Sequence, residues 1–407
     1  MENKSISEIR FSGFNEKWDI KKLNDIADKV SVGIATSSSE HFTDKNTGVP
    51  FIKNQNIKQN RIDDSCLEYI SKEFDKANIN KRVQAGDILT ARTGYPGLSA
   101  VVPPHLNGAQ TFTTLITRLK KGVALAEFVA IYINSDIGMK QITGMEAGGA
   151  QKNVNAGILK NLTVPLPSLQ EQKIISKFVT FIEKTISIQQ QELDTLKQTK
   201  QGFLQKMFPK EGEIVPELRF PGFSQKWNQK KLGDIGSVSM CKRIFKHQTT
   251  ENGEIPFFKI GTFGRTPNSY ISRELFEEFR NKYPYPEIGD VLISASGTIG
   301  RTVVYKGEEA YYQDSNIVWL KRNKELVENS FLQQFFQIVK WAGTEGSTIQ
   351  RLYNNNILRT EISLPSIEEQ VQIGNFLKQL DDLITLQQQE LDALKQTKKA
   401  FLQKMFV

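Results

Sequence analysis

The chain repeats itself once, in order, along almost its whole length. Arg10-Phe-Ser-Gly-Phe-Asn-Glu-Lys-Trp18 returns as Arg219-Phe-Pro-Gly-Phe-Ser-Gln-Lys-Trp227 at an offset of 209, and both copies continue through Lys-Lys-Leu-x-Asp-Ile. Gly86-Asp-Ile-Leu89, with Gly94 and Gly97 beyond it, matches Gly289-Asp-Val-Leu292 with Gly297 and Gly300 at an offset of 203. Leu166-Pro-Ser-Leu-Gln-Glu-Gln172 matches Leu364-Pro-Ser-Ile-Glu-Glu-Gln370 at an offset of 198, which holds to the end of the chain. A duplication of this period requires one scaffold built twice, each copy long enough for its own core.

The two copies diverge unevenly. From Gln189 to Phe208 and from Gln387 to Phe406 only three of twenty positions differ: Thr195 against Ala393, Gln201 against Lys399 and Gly202 against Ala400. Between the Trp motif and the Leu-Pro-Ser motif most positions differ. Near-identical segments meet the same kind of partner twice, whereas diverged domains on one scaffold meet different things. The plainer reading beside this is gene conversion confined to the tail.

The near-identical segments belong to long helices. Ser168 and Ser366 each follow a proline and stand three residues before a Glu, the pattern of a capping box. Apolar side chains then step by three and four through Ile175, Phe178, Ile182, Ile186, Leu193, Leu196, Phe203 and Met207, and the second copy repeats the stripe from Ile373 to Met405. At 1.5 Å per residue such a helix is about 60 Å long. One apolar stripe needs a partner, and its twin is the nearest, giving an antiparallel coiled coil in which Gln189 and Gln387 form a polar layer that fixes register. Packing of each stripe on a globular domain or another chain is the alternative. The intervening copies read as mixed α/β. Short β-rich runs lie at 29–34, 50–53, 87–91, 99–102, 112–119 and 162–164, with a helix over 125–142; the second copy has runs at 237–240, 256–260, 290–294, 302–305 and 316–321 and a helix over 330–341. The fold class is therefore α+β, with domains at 1–167 and 209–365 and long helices at 168–208 and 366–407.

Composition narrows the chemistry. Hydrophobic residues at 39% and charged residues at 24% exclude a mostly disordered chain. Two cysteines, Cys66 and Cys241, and three histidines build neither a disulfide framework nor a metal site, so a reducing, cytoplasmic setting is expected. No signal peptide or membrane-spanning run is apparent. The chain lacks a nucleotide-binding Gly-x-x-x-x-Gly-Lys-Ser/Thr loop and a Gly-x-Ser-x-Gly elbow, and its one Pro-Pro, Val102-Pro-Pro-His105, is not an adenine methyltransferase box. No catalytic residue is expected.

A net charge of +8 favours a polyanionic partner, and residues 1–168 and 209–366 carry +4 and +3 of it. So small an excess needs local patches. Candidates for DNA contact are Lys53, Asn54, Gln55, Asn56, Arg92, Thr93, Gln151, Lys152 and Asn153 in the first copy, and Lys242, Arg243, Lys259, Arg265, Ser296, Arg301, Gln350 and Arg351 in the second. Arg forks onto guanine, Asn and Gln onto adenine, and Lys holds phosphate; for each, the plain alternative is a solvated surface residue. The paired Gly-x-x-Gly segments fit a phosphate cradle or, more simply, a tight turn. His41 and His247 correspond and read as structural.

Taken together, the doubled Arg-Phe-x-Gly-Phe…Lys-Trp openings, the Gly-Asp-Ile/Val-Leu…Gly turns, the Leu-Pro-Ser-x-x-Glu-Gln helix starts and the Gln-Gln-Gln-Glu-Leu-Asp helices resemble the specificity (S) subunit, HsdS, of type I restriction-modification systems. The resemblance spans essentially the whole chain. It implies two target recognition domains separated by paired helices, with each domain reading one half of an asymmetric, interrupted site in double-stranded DNA. It also implies two docked methyltransferase subunits that methylate adenine N6, and restriction subunits that add ATP-driven cleavage. S-adenosylmethionine, ATP and Mg2+ are then expected on those partners and no cofactor on this chain. As a ruler, a 60 Å helix limits the spacing of the two readers to about 15 base pairs. An autonomous DNA-modifying enzyme with degenerate motifs and a coiled-coil protein adaptor are the rival readings.

Overall fold

The computed structural model describes residues 7–144, 153–342 and 351–406. It has two compact units: residues 1–190 together with 390–407, and residues 191–389. Each holds one globular copy and portions of both long helices. These helices run over Leu169–Met207 and Ile367–Met405, 39 residues each, as the apolar stepping predicts. The chain is a mixed α+β protein built twice.

The globular copies share one plan. In the first, an antiparallel sheet has the strand order Ala27–Val32, Leu115–Leu119, Ile88–Thr90, Ser99–Val101; in the second the order is Gly236–Met240, Ile317–Arg322, Val291–Ser294, Thr302–Val304. A second small sheet in each contains a parallel pair, Val49–Ile52 with Gln110–Thr111 and Ile255–Phe258 with Tyr311–Tyr312. The strand after each Trp motif closes the copy by pairing antiparallel with the strand before Leu-Pro-Ser: Asp19–Lys22 with Thr163–Leu166, and Asn228–Lys231 with Glu361–Leu364. The sequence pattern misses the first of each pair because these Lys-rich strands are mostly exposed and carry no alternation, and it also misses Glu361–Leu364 in the second copy.

Three expected elements are shorter than their pattern, and one of them is the helix over 330–341, which runs only over Asn329–Phe335. The helix over 125–142 is two helices, Ala126–Ile133 and Asp136–Gly144. Ser135 starts the second by accepting the Gly138 amide at 3.1 Å, and a Cβ on Gly138 would lie 2.2 Å from the Tyr132 carbonyl oxygen, so the junction is tight. The run at 112–119 becomes a strand only from Leu115, because Thr113 takes a left-handed backbone with φ +54°.

The repeated motifs meet at the start of each long helix. Ser168 and Ser366 cap as expected, accepting the Glu171 and Glu369 amides at 3.3 Å. The glutamates themselves do something else. Each is 1% exposed and is gripped at both oxygens by the arginine of the opening motif: Arg10 holds Glu171 at 2.9 and 2.7 Å, and Arg219 holds Glu369 at 2.8 and 2.7 Å. Hydrogen bonding to these carboxylates raises the pKa of both guanidinium groups. The following glutamines are buried too. Gln172 accepts the Leu125 amide and donates to the Pro167 carbonyl, and Gln370 does the same with Glu328 and Pro365. Each fastens the long helix to the start of the domain helix beside it.

The near-identical helix ends also have a structural task. In the first unit Phe406, from the end of the C-terminal helix segment, sits among Trp18, Phe128 and Tyr132 with centroids 6.2, 5.7 and 5.2 Å away. In the second unit Phe208, just past the central helix, sits among Trp227, Phe331 and Phe335. A second aromatic layer repeats it, with Phe401 against Phe11 and Phe178, and Phe203 against Phe376, which also packs on Phe220. One socket built twice therefore accepts one tail sequence twice.

Within each unit the helix portions run antiparallel, joined by polar pairs. Glu183 pairs with Lys398 at 2.6 Å and Gln190 with Lys395 at 3.2 Å in the first unit; Lys200 pairs with Asp381 at 2.5 Å and Lys197 with Gln388 at 3.2 Å in the second. The Gln189 and Gln387 amide oxygens, expected to form the polar layer, are buried without a hydrogen-bond partner. Within each unit the polar contacts between the helix portions are made by these Lys, Glu, Asp and Gln side chains.

Two outcomes follow from this packing. Arg10→Ala strands a buried carboxylate and is expected to destabilise the first unit by about 3 kcal/mol, with Arg219→Ala doing the same to the second, measured by urea unfolding. Burial raises the pKa of Tyr285, Tyr311 and Tyr312 in the second unit, and pushes that of Tyr132 in the first up to about 12. A neutral phenol with a raised folded pKa gives stability that is present below the unfolded value of about 10 and is lost as pH rises through the folded one. With three such phenols against one, the second unit should lose stability first above about pH 10; phenolate absorbance alongside unfolding midpoints checks it.

Candidate nucleic-acid interface

In both copies four chain segments converge where the strand of the Gly-Asp-Ile/Val-Leu motif ends. In the first unit the turn after Ile88–Thr90 is closed by the Gly97 amide donating to the Ala91 carbonyl at 2.9 Å. Gly97 has φ +92° and its counterpart Gly300 has φ +78°, a backbone that favours glycine, so the repeated Gly-x-x-Gly makes a tight turn. Asn54 is the hub of this site. Its Oδ1 accepts the Arg92 amide at 2.8 Å, and its Nδ2 donates to the hydroxyls of Thr93 at 3.2 Å and Thr113 at 3.0 Å. Val154 completes the set by donating its amide to the Arg92 carbonyl, while Arg92 Nε donates back to the Val154 carbonyl, both at 3.3 Å.

The second unit joins the corresponding segments with different side chains. The Gly300 amide donates to the Ser294 carbonyl at 3.0 Å. Asn316 takes over as hub: its carbonyl accepts the Ala295 amide at 2.7 Å and its Oδ1 accepts the Ser296 hydroxyl at 2.6 Å. Leu352 donates its amide to the Ala295 carbonyl at 2.8 Å, as Val154 does to Arg92. Arg301 Nη1 donates to the Phe263 carbonyl at 3.1 Å, and Arg351 Nη2 to the Ser315 hydroxyl at 3.1 Å. Thr113 at φ +54° and Ser315 at φ +51° occupy matching places beside these hubs. A left-handed non-glycine residue held twice at one place is a strained feature of the kind found at functional sites.

The structure sorts the sequence candidates. Asn54, Arg92, Thr93 and Asn153 come together in the first unit, and Ser296, Arg301 and Arg351 in the second, with Thr93, Asn153 and Arg351 exposed. Asn56 does not qualify as a DNA contact: it is 6% exposed, its Oδ1 accepts the Lys53 amide and its Nδ2 donates to the Asp63 carbonyl. Lys53 is half-buried, paired with Glu68 and stacked 4.8 Å from the Phe42 ring. Gln55 and Arg265 are exposed, and Lys259 is half-buried at the start of a turn closed on the Thr262 hydroxyl. Lys242 and Arg243 are exposed cations on a separate segment, 5.1 Å from the Tyr283 ring and 5.6 Å from the Phe245 ring. The Tyr311 hydroxyl anchors that segment at the Lys242 carbonyl, next to Cys241, whose thiol burial pushes up to about 12. Gln151, Lys152 and Gln350 lie outside the described residues. His41 stacks on Phe74 at 3.9 Å and His247 faces Phe245 at 5.9 Å, both ring-packing roles.

Residue reasoning missed the aromatic side of the surface. Tyr95, in the Gly94–Gly97 turn, is 74% exposed, and Tyr353 is 62% exposed beside Arg351. Exposed rings beside Arg and Asn suit nucleic acid, because Tyr can stack or pack on sugar while the polar groups read edges. The only sequence signal for Tyr95 is its place between two turn glycines.

Comparison with known proteins agrees with this doubled architecture. The family described as type I restriction modification DNA specificity domain matches residues 15–198 and again residues 224–396. S.HindORF215P of Haemophilus influenzae, described as a type I restriction enzyme specificity subunit, is 56% identical over 153 residues, 38% of this chain and 40% of that relative. The type I restriction enzyme StySPI specificity subunit of Salmonella potsdam is 22% identical over 82% of this chain and 75% of its own. A crystal structure of a type I restriction-modification system S subunit from M. genitalium has the same fold, with a TM-score of 0.64 at 14% identity over 98% of this chain and 99% of that one. Two family matches, one on each copy and together covering most of the residues, place this chain in the type I restriction-modification DNA specificity family.

Proposed function

We propose that each unit reads one half of an asymmetric, interrupted site in double-stranded DNA and that the chain itself performs no chemistry. The carrying observation is the contrast between two converged polar surfaces on one scaffold, with different exposed side chains, and the near-identical helix ends that hold both copies. The first surface offers Arg92, Thr93 and Asn153, and the second Arg301 and Arg351, groups whose geometry suits base edges and phosphates. Tight turns on a rigid sheet position them at little ordering cost.

In this reading the helices set the spacer and carry two methyltransferase subunits, which bind S-adenosylmethionine and methylate an adenine at N6 in each half-site. Restriction subunits, with ATP and Mg2+, join the same assembly in the cytoplasm. Two features support an accessory helix surface: Ile188 and Leu386 correspond in the repeat and are 45% and 52% exposed on their helices. A duplicated surface suits two copies of one partner.

Replacing residues 1–167 by the matching domain of another family member should change one half-site and leave the other unchanged. A heptad inserted in the central helix, about 10 Å of added length, should change the spacer and neither half-site. Sequencing of modified adenines in cells carrying the chain and its methyltransferase subunits reads both; an unchanged spacer, or a change in both half-sites after the single swap, counts against the proposal. DNA cleavage or S-adenosylmethionine binding by the purified chain alone would favour an autonomous enzyme. Asn54→Ala removes the hub of the first surface and should weaken recognition of one half-site by about tenfold, the equivalent of about one net hydrogen bond.

A further inference from the structure

Positions 153 and 351 correspond at an offset of 198, and each precedes a buried apolar residue whose amide is tied to the turn, Val154 to Arg92 and Leu352 to Ala295. The scaffold thus presents the same exposed position in both units, filled by Asn153 in one and Arg351 in the other. Two residues further on, the copies separate in a telling way. Asn155 is occupied as the cap of the helix Ala156–Asn161, its Oδ1 accepting the Ile158 amide at 3.0 Å. In the second unit the side chain at 353 has no such duty: the Asn356 amide donates to the Tyr353 backbone carbonyl at 2.9 Å, and Asn356 Oδ1 accepts the Tyr353 amide at 3.1 Å. Released from capping, position 353 carries an exposed tyrosine ring with the Arg351 guanidinium 5.8 Å from its centroid.

Arg351 is thereby restrained from three directions. Its backbone bridges to Ser296 at the turn, one guanidinium nitrogen donates to the hydroxyl of the left-handed Ser315, and the Tyr353 ring lies beside the guanidinium. A long cation kept at the surface for solubility needs none of these restraints. A cation that must fork onto two acceptors in one plane does, since fewer rotamers then have to be frozen on binding. Resting on the reading of the second unit as a DNA-reading domain, we infer that Arg351 reads a guanine in its half-site, forking onto O6 and N7 from the major groove, with Tyr353 and Ser315 as positioning residues. Asn153 at the same place in the first unit presents an amide, whose geometry fits adenine, so one frame can present two letters.

The test uses the full chain in complex with its methyltransferase subunits, with bound duplexes selected from a randomised pool and modified adenines sequenced in cells. Exchange of residues 209–365 first assigns the second unit's half-site. Arg351→Ala should then relax one guanine position in that half-site by about tenfold or more, leaving its other positions and the other half-site intact. Arg351→Lys should not restore it, because an ammonium keeps the charge and loses the fork. Tyr353→Ala should relax the same position by severalfold and Tyr353→Phe should retain it, which a role in folding alone would not produce. The inference is overturned if that half-site contains no guanine. It is equally overturned if Arg351→Ala weakens all sequences alike, lowers the salt dependence by about one counterion and is rescued by Arg351→Lys, the behaviour of a phosphate contact. A wild-type complex that selects no bipartite site would remove the DNA-reading function itself, whereas a bipartite site indifferent to Arg351 removes this inference alone.

Discussion

A carboxylate buried in the first turn of a helix is unfavourable unless a cation is brought to it, and this chain does so twice. Glu171 and Glu369 are 1% exposed, and each is held through both oxygens by an arginine some 150 or 160 residues earlier in sequence. That bidentate bond ties the opening of each globular copy to the helix that follows it, so the ends of the copy must come together before the carboxylate can be buried. The antiparallel strand pair beside it, Asp19–Lys22 with Thr163–Leu166 or Asn228–Lys231 with Glu361–Leu364, closes the same gap with backbone bonds. Everything between is therefore a long excursion from a fixed base. An excursion with fixed ends tolerates insertions and divergence in its middle, which is where the two copies differ most.

The aromatic socket makes the second demand. Trp18 and Trp227 are 6% and 2% exposed, and each is covered by a phenylalanine from the end of a long helix, Phe406 in the first unit and Phe208 in the second. Because the C-terminal tail belongs to the unit that contains the N-terminal domain, that unit is assembled from two distant pieces of chain. Identical demands at the two sockets favour identical tails. This packing gives the near identity of 189–208 and 387–406 a reason that does not depend on a partner, and it stands beside the partner-based reading of the same observation.

Much of this was legible beforehand where periodicity or spacing carries the signal. The two long helices, most strands of the antiparallel sheets and the serine caps follow from apolar steps and local turn chemistry. Other features left no local trace. The Lys-rich closing strands have no apolar alternation, the helix over 125–142 is broken by a close approach at Gly138, and the Glu of the apparent capping box is claimed by a distant arginine rather than by its own helix. Among the candidate contacts, Asn56 has the right chemistry and the wrong place, since burial and two backbone partners hold it in the core of its turn. Tyr95 and Tyr353 show the reverse: aromatic residues that no sequence pattern singled out stand exposed next to Arg and Asn side chains.

The linear order of residues specifies the plan: one α+β scaffold used twice, two long helices, a modest positive charge carried by the globular copies, and a family resemblance spread over the whole length. These are properties of order and period, and a linear string states them directly. The tertiary structure alone decided which segments converge at the reading surface, which helix end covers which tryptophan, and which polar groups are free to meet a ligand. The reason is that each of these depends on bonds between residues tens to hundreds of positions apart, such as Asn54 with Thr113 or Ser7 with Lys404. No local pattern encodes such partners, and a side chain's availability is fixed only once they are in place.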